Sequence, residues 1–124
     1  MKIESVGQIL VCVSDVDRAV AFYRDMLGLT FLFRVPGQPM AFFDCGGVRL
    51  YLGVPERPEL KAAATLYFRV ADIDRAHADL AGRGVPFIDP PHLTHDDGTT
   101  QLWLAFFRDT EGNLHSLMEE RPSR

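Results

Sequence analysis

The chain has 124 residues, 47% of them hydrophobic and 24% charged, with a formal charge of −4. That balance supports a packed core and excludes a disordered polyelectrolyte. No basic run exists to neutralise phosphates, which excludes nucleic acid as a partner, and no apolar stretch is long enough to span a bilayer.

The N-terminal stretch MKIESVGQILVCV carries Glu4 and Gln8 and lacks the apolar core and cleavage site of a secretory signal, so a cytoplasmic location is expected. Cys12 and Cys45 are far apart and form no C-x-x-C pair; free thiols are expected.

In chain order, QILVCV reads as a first strand, rich in β-branched residues. Asp15 then stands at a helix N-cap position, with Val16, Val20, Tyr23 and Leu27 at helical spacing and Gly28 as the terminator. TFLFRV, MAFFDC and VRLYLGV follow as three strands, the last two joined by a hairpin at Cys45-Gly46-Gly47. Pro55–Ala63 reads as a linker.

The plan then repeats. VSDVDRA at Val13–Ala19 returns as VADIDRA at Val70–Ala76, and Gln8–Phe31 lies against Thr65–Phe87 with one residue dropped in the second copy. TLYFRV is the second opening strand and Asp72 the second N-cap. Ile73, Ala76 and Leu80 form the second helical stripe, ending at Gly84. VPFID, TTQLWLAFFR and LHSLMEE are the expected strands, and PHLTHDDG, with His92, His95, Asp96 and Asp97, is expected as a solvated loop. His77 is expected at the surface.

The expected fold is therefore α+β: a single domain over 1–124 made of two tandem βαβββ modules, about 5–54 and 64–120, joined by a linker at 55–63. Each sheet carries its helix on one face. Two such sheets side by side can curve into one trough, which gives doubling a purpose.

Alternation assigns the faces. Ile9, Val11 and Val13 pack under the helix, as do Leu66, Phe68 and Val70 and also Val48, Leu50 and Leu52. Gln8, Arg49, Tyr51, Tyr67, Arg69 and Ser116 then look into the trough as ligand-binding candidates. Arg offers a fork for oxyanions and Tyr an apolar wall with a polar tip. The alternative for the two arginines is solvent, or pairing with Asp44, Asp89 or Glu119. Trp103, readable as core or pocket wall, and His92, which a lid could lend to a ligand, complete the candidate set. No nucleophile motif or glycine-rich phosphate loop is present.

The segments VSDVDRAVAFYRDMLGL, VADIDRAHADLAGRGV and FFRDTEGNLHSLME resemble the vicinal oxygen chelate superfamily of glyoxalase I, bleomycin-resistance proteins and extradiol dioxygenases. The resemblance covers essentially the whole chain and implies the same two-module fold and a homodimer. It does not specify the reaction, because that fold hosts lyases, epimerases, oxygenases, transferases and drug binders.

The resemblance also implies where a divalent metal would sit: at Gln8, Tyr51, Thr65 and Ser116. None is His or carboxylate, so these donors argue against a metal. His115 adjoins Ser116, but alternation turns it to the other face. The expectation is a binder of a small anionic or aromatic molecule with no metal or other cofactor. The alternative is an enzyme, a lyase, isomerase or dioxygenase working with a metal or a side-chain base.

Overall fold

A computed structural model describes residues 1–124. The chain divides into two compact units, Met1–Ala63 and Ala64–Arg124. The first holds β1 (Gln8–Cys12), α1 (Val16–Ala21) continued by a wide helical turn (Phe22–Met26), β2 (Thr30–Arg34), β3 (Met40–Cys45), β4 (Val48–Gly53) and a 3₁₀ turn (Pro58–Leu60). The second holds β5 (Tyr67–Arg69), α2 (Ile73–Gly82), β6 (His92–Asp96), β7 (Thr100–Arg108) and β8 (Leu114–Pro122). No helix is long and apolar enough to cross a membrane.

Each unit carries a four-stranded mixed sheet of the same topology, β1-β4-β3-β2 and β5-β8-β7-β6. The opening strand runs parallel to the last one, and the other neighbours are antiparallel. The fold is α+β, one helix to each sheet.

The repeated heptapeptide has one local job, done twice. Asp15 Oδ1 accepts the Arg18 N–H at 3.1 Å, and Asp72 Oδ1 accepts the Arg75 N–H at 3.1 Å. Each carboxylate satisfies a donor that has no partner within the helix and sits at the positive end of the helix dipole. Both helices end at a glycine in the left-handed region, Gly28 at φ 75° and Gly84 at φ 95°. After α2 the chain closes a Schellman turn, Gly84 N–H to Ala81 O and Val85 N–H to Leu80 O, both at 3.0 Å.

Thirteen positions separate Asp15 from Gly28, but only twelve separate Asp72 from Gly84. The wide turn absorbs the difference, closed by Leu27 N–H to Phe22 O at 3.0 Å. An extra residue in a helix costs least as a single i→i−5 turn that leaves the flanking faces in place. Phe22 and Tyr23 thereby stay buried.

In the first unit the core lies between α1 and its sheet. Val11, Val16, Ala19, Tyr23, Phe43, Leu50 and Leu52 are all at most 6% exposed. Arg34 pairs with Asp17 of α1 across the same face. In the second unit Ile73, Val85, Ala105, Phe107 and Leu117 are buried on the helix side, together with His115.

Three expectations are corrected by the structure. VPFID is not a strand: Phe87 makes a single bridge to Phe107. Pro86 and Pro90 lack the N–H groups a ladder needs, and Asp89 Oδ1 takes the Phe106 N–H at 2.9 Å, closing that edge. The strand is instead the expected loop, His92–Asp96, which pairs antiparallel to β7 with a bulge between Leu93 and His95. It is polar because it is an edge strand exposed along most of its length. His77 is half-buried rather than at the surface, its ring 4.4 Å from that of Phe87.

Candidate functional site: the open sheet faces

Each sheet has a face turned away from its helix. In the first unit, register places Gln8 beside Arg49, Leu10 beside Tyr51, and Phe42 between Tyr51 and Phe33. The rings form a stack across three strands, 4.7 Å from Phe33 to Phe42 and 4.9 Å from Phe42 to Tyr51. Arg49 sits over its edge, with the guanidinium carbon 5.6 Å from the Phe42 centroid. Arg49 Nε donates to Gln8 Oε1 at 3.0 Å. Asp44 lies opposite Arg49 in the ladder, but its Oδ1 accepts the N–H of Gly47 in the hairpin.

Tyr51 lies along its own strand, over Gly53. A Cβ on Gly53 would stand 2.3 Å from Tyr51 Cε1. Burial, and then the charges of Glu56 and Cys12, hold the Tyr51 hydroxyl pKa above its ordinary value of 10.0, so the group is neutral at physiological pH.

In the second unit, Tyr67, Ser116 and Phe106 share the open face. Tyr67 is 51% exposed and meets Phe106 edge to face at 6.0 Å. Arg69 Nη1 pairs with Glu120 Oε1 at 2.7 Å, so a carboxylate of the chain answers its charge. That partner is none of the acids expected from the sequence. Glu119 points the other way and accepts the Ile73 N–H at 2.8 Å. His92 shares the open face, opposite Leu104, with Nδ1 3.1 Å from Pro90 O.

Trp103 does not belong to this face. It alternates with Ala105 and Phe107 on the helix side, where Arg121 stacks 4.4 Å from its ring and its Nε1 donates to Gln101 Oε1. Arg121 Nε also pairs with Glu119 Oε2 at 3.0 Å. Trp103 is thus part of the packing at the start of α2, not of a pocket wall on the open face.

The four positions implied as metal donors are a poor fit in each unit. Gln8 Oε1 is engaged by Arg49, which would bring a cation beside a cation, and Tyr51 is held neutral. Ser116 is fully buried and donates its hydroxyl to Leu117 O at 2.7 Å, with Ala105 O at 3.3 Å. Thr65 offers a neutral hydroxyl. A divalent ion exchanges its hydration shell for His or carboxylate groups, and none is supplied here.

His115 is the one imidazole in the protein interior. Its Nδ1 accepts the Leu66 N–H at 3.1 Å, and its ring packs against Phe68 and Phe107. That bond leaves the proton on Nε2, 3.8 Å from the Asp109 carboxylate. Burial lowers its pKa, with Asp109 opposing.

Comparison with known proteins agrees with this architecture. Residues 5–117 match the family model described as the Glyoxalase/Bleomycin resistance protein/Dioxygenase superfamily. The protein YraH of Bacillus subtilis (strain 168) is 30% identical, with 86% of this chain and 91% of YraH covered. The metallothiol transferase FosB of Staphylococcus epidermidis is 34% identical over 58% of this chain, which spans only 53% of FosB. Among solved structures, a superfamily member from Sphaerobacter thermophilus superposes with a TM-score of 0.78 at 28% identity, covering 94% of this chain and 98% of the other. With its repeated strand order and this match over nearly its full length, the chain belongs to the glyoxalase/bleomycin resistance protein/dioxygenase superfamily.

Proposed function

We propose that the protein binds a small anionic or aromatic molecule on the open faces of its sheets, without a metal. The observation that carries this reading is the Arg49–Gln8 hydrogen bond. It puts a guanidinium where the superfamily resemblance implies a metal donor, on the same face as the Phe33–Phe42–Tyr51 stack. A fixed cation beside aromatic surface suits binding, and no nucleophile–base pair accompanies it. Gln8, Arg49, Tyr51, Tyr67, Arg69 and His92 are the residues assigned to ligand contact in this proposal; Ser116, fully buried with its N–H on Leu66 O at 2.9 Å, is left out of it.

The reading is tested by native mass spectrometry of untagged protein. A retained small molecule, released on denaturation and absent from an Arg49→Ala variant, is the expected result. A ligand retained equally by both would contradict it.

A second reading, an enzyme of the same superfamily, draws support from the likeness to FosB, whose name states a metallothiol transferase. The donor chemistry at Gln8, Tyr51, Thr65 and Ser116 weighs against a metal-dependent version.

The proposal also includes a cytoplasmic homodimer. Cys12 and Cys45 form no disulfide with each other, which suits a reducing compartment. Strands β2 and β6 end their sheets and expose Leu32 and Leu93, edges that a partner would cover. Light scattering reporting a monomer at micromolar concentration would contradict the dimer.

A further inference from the structure

We propose that Arg49, oriented by Gln8, anchors the carboxylate of a planar aromatic acid whose ring packs against Phe33, Phe42 and Tyr51. This deepens the small-molecule reading above and rests on it.

The two arginines of the open faces differ in one respect. Arg69 has an internal carboxylate at 2.7 Å. Arg49 has only the neutral oxygen of Gln8, which engages Nε, and the Phe42 ring beneath. The acid best placed to neutralise it, Asp44, is committed to the hairpin N–H of Gly47.

The Nη groups of Arg49 are therefore free of an internal partner, while the Nε bond holds the guanidinium plane. A planar carboxylate matches two parallel N–H donors. Arg serves better than Lys here because its fork is rigid and stacks on rings.

The rings select the rest of the ligand. Phe33 is 44% exposed at the end of the stack, and Tyr51, laid over Gly53, extends it toward β1. Charge sets the direction. An anionic group is drawn toward the Arg49 guanidinium, whose Nε alone is engaged by Gln8.

Two probes separate the parts: 2-naphthoate, and 2-naphthamide as its neutral counterpart. Each is titrated into the isotope-labelled full chain and followed by backbone amide shifts. Saturable 2-naphthoate shifts centred on Gln8, Phe42 and Arg49 are expected, with 2-naphthamide weaker by about tenfold. Arg49→Ala abolishes that difference. Gln8→Glu keeps an acceptor for Nε but adds a negative charge, so it weakens 2-naphthoate by about tenfold and narrows its advantage over 2-naphthamide. Amide dispersion reports that each variant is folded.

Equal affinity for the two probes at this face would overturn the carboxylate anchor while leaving the binding reading intact. Shifts centred elsewhere, or no saturable binding of 2-naphthoate, would overturn the subsite itself. Loss of the retained ligand test above, by contrast, bears on the broader reading.

Discussion

Tyr51 rests on Gly53: the position two residues along its strand must lack a side chain for the ring to lie flat, since a Cβ there would approach Cε1 to 2.3 Å. Gly53 has no left-handed torsion, so the requirement is space, not backbone conformation. Gly53→Ala should cost about 1–3 kcal/mol, as overpacking does. Urea denaturation measures it. In a Tyr51→Ala background the same change should be nearly free, and a double-mutant cycle gives the coupling. Equal costs in the two backgrounds would contradict the contact.

The two N-caps should be equivalent. Asp15→Ala and Asp72→Ala should each lower stability by about 1 kcal/mol, and Asp→Asn at either site by less. Thermal or urea unfolding checks this. The pair tests whether the repeated heptapeptide is doing one structural job in both modules.

The wide turn after α1 predicts a tolerated deletion. Removing Asp25, an exposed residue paired only with its neighbour Arg24, should let the helix run with ordinary spacing into Gly28. The cost beyond that exposed pair should be no more than about 1 kcal/mol. Removing Asp79 from α2, which has no wide turn to absorb the loss, should rotate Leu80 and break the Schellman closure. Circular dichroism melts compare the two deletions.

Burial of neutral His115 makes stability depend on pH. Its native pKa lies below the ordinary 6.5, so between the two values the unfolded chain binds more protons than the native one. Stability from this group is complete above pH 6.5, falls as the pH drops below it, and levels off once the native imidazole is itself protonated. Urea midpoints measured from pH 5 to 8 should show that decline. His115→Asn, which keeps an acceptor for the Leu66 N–H, should flatten it.

Much of this was readable from the residues. Asp15 and Asp72, Gly28 and Gly84, and the strict alternation of Val11, Val13, Leu50 and Leu52 carry local physics that tertiary context did not override. The same alternation places Arg49 and Tyr51 on the open face. Extended through TTQLWLAFFR, it also puts Trp103 with Ala105 and Phe107, a signal that volume and aromaticity obscured.

The edge strand His92–Asp96 was harder to read. An exposed edge has no buried face to impose a hydrophobic pattern, so its sequence looks like a loop. The prolines of VPFIDPP were the available warning. Arg69's partner, Glu120, depends on register between strands far apart in sequence, which no local pattern encodes.

In the proposed function, side chains rather than a metal hold the ligand. Elemental analysis of untagged protein, exposed in turn to Mn²⁺, Fe²⁺, Ni²⁺ and Zn²⁺ and then desalted, tests it most directly. Retention far below one metal per chain, unchanged by Gln8→Ala, is expected. One tightly held equivalent that disappears in the Gln8→Ala variant would contradict it.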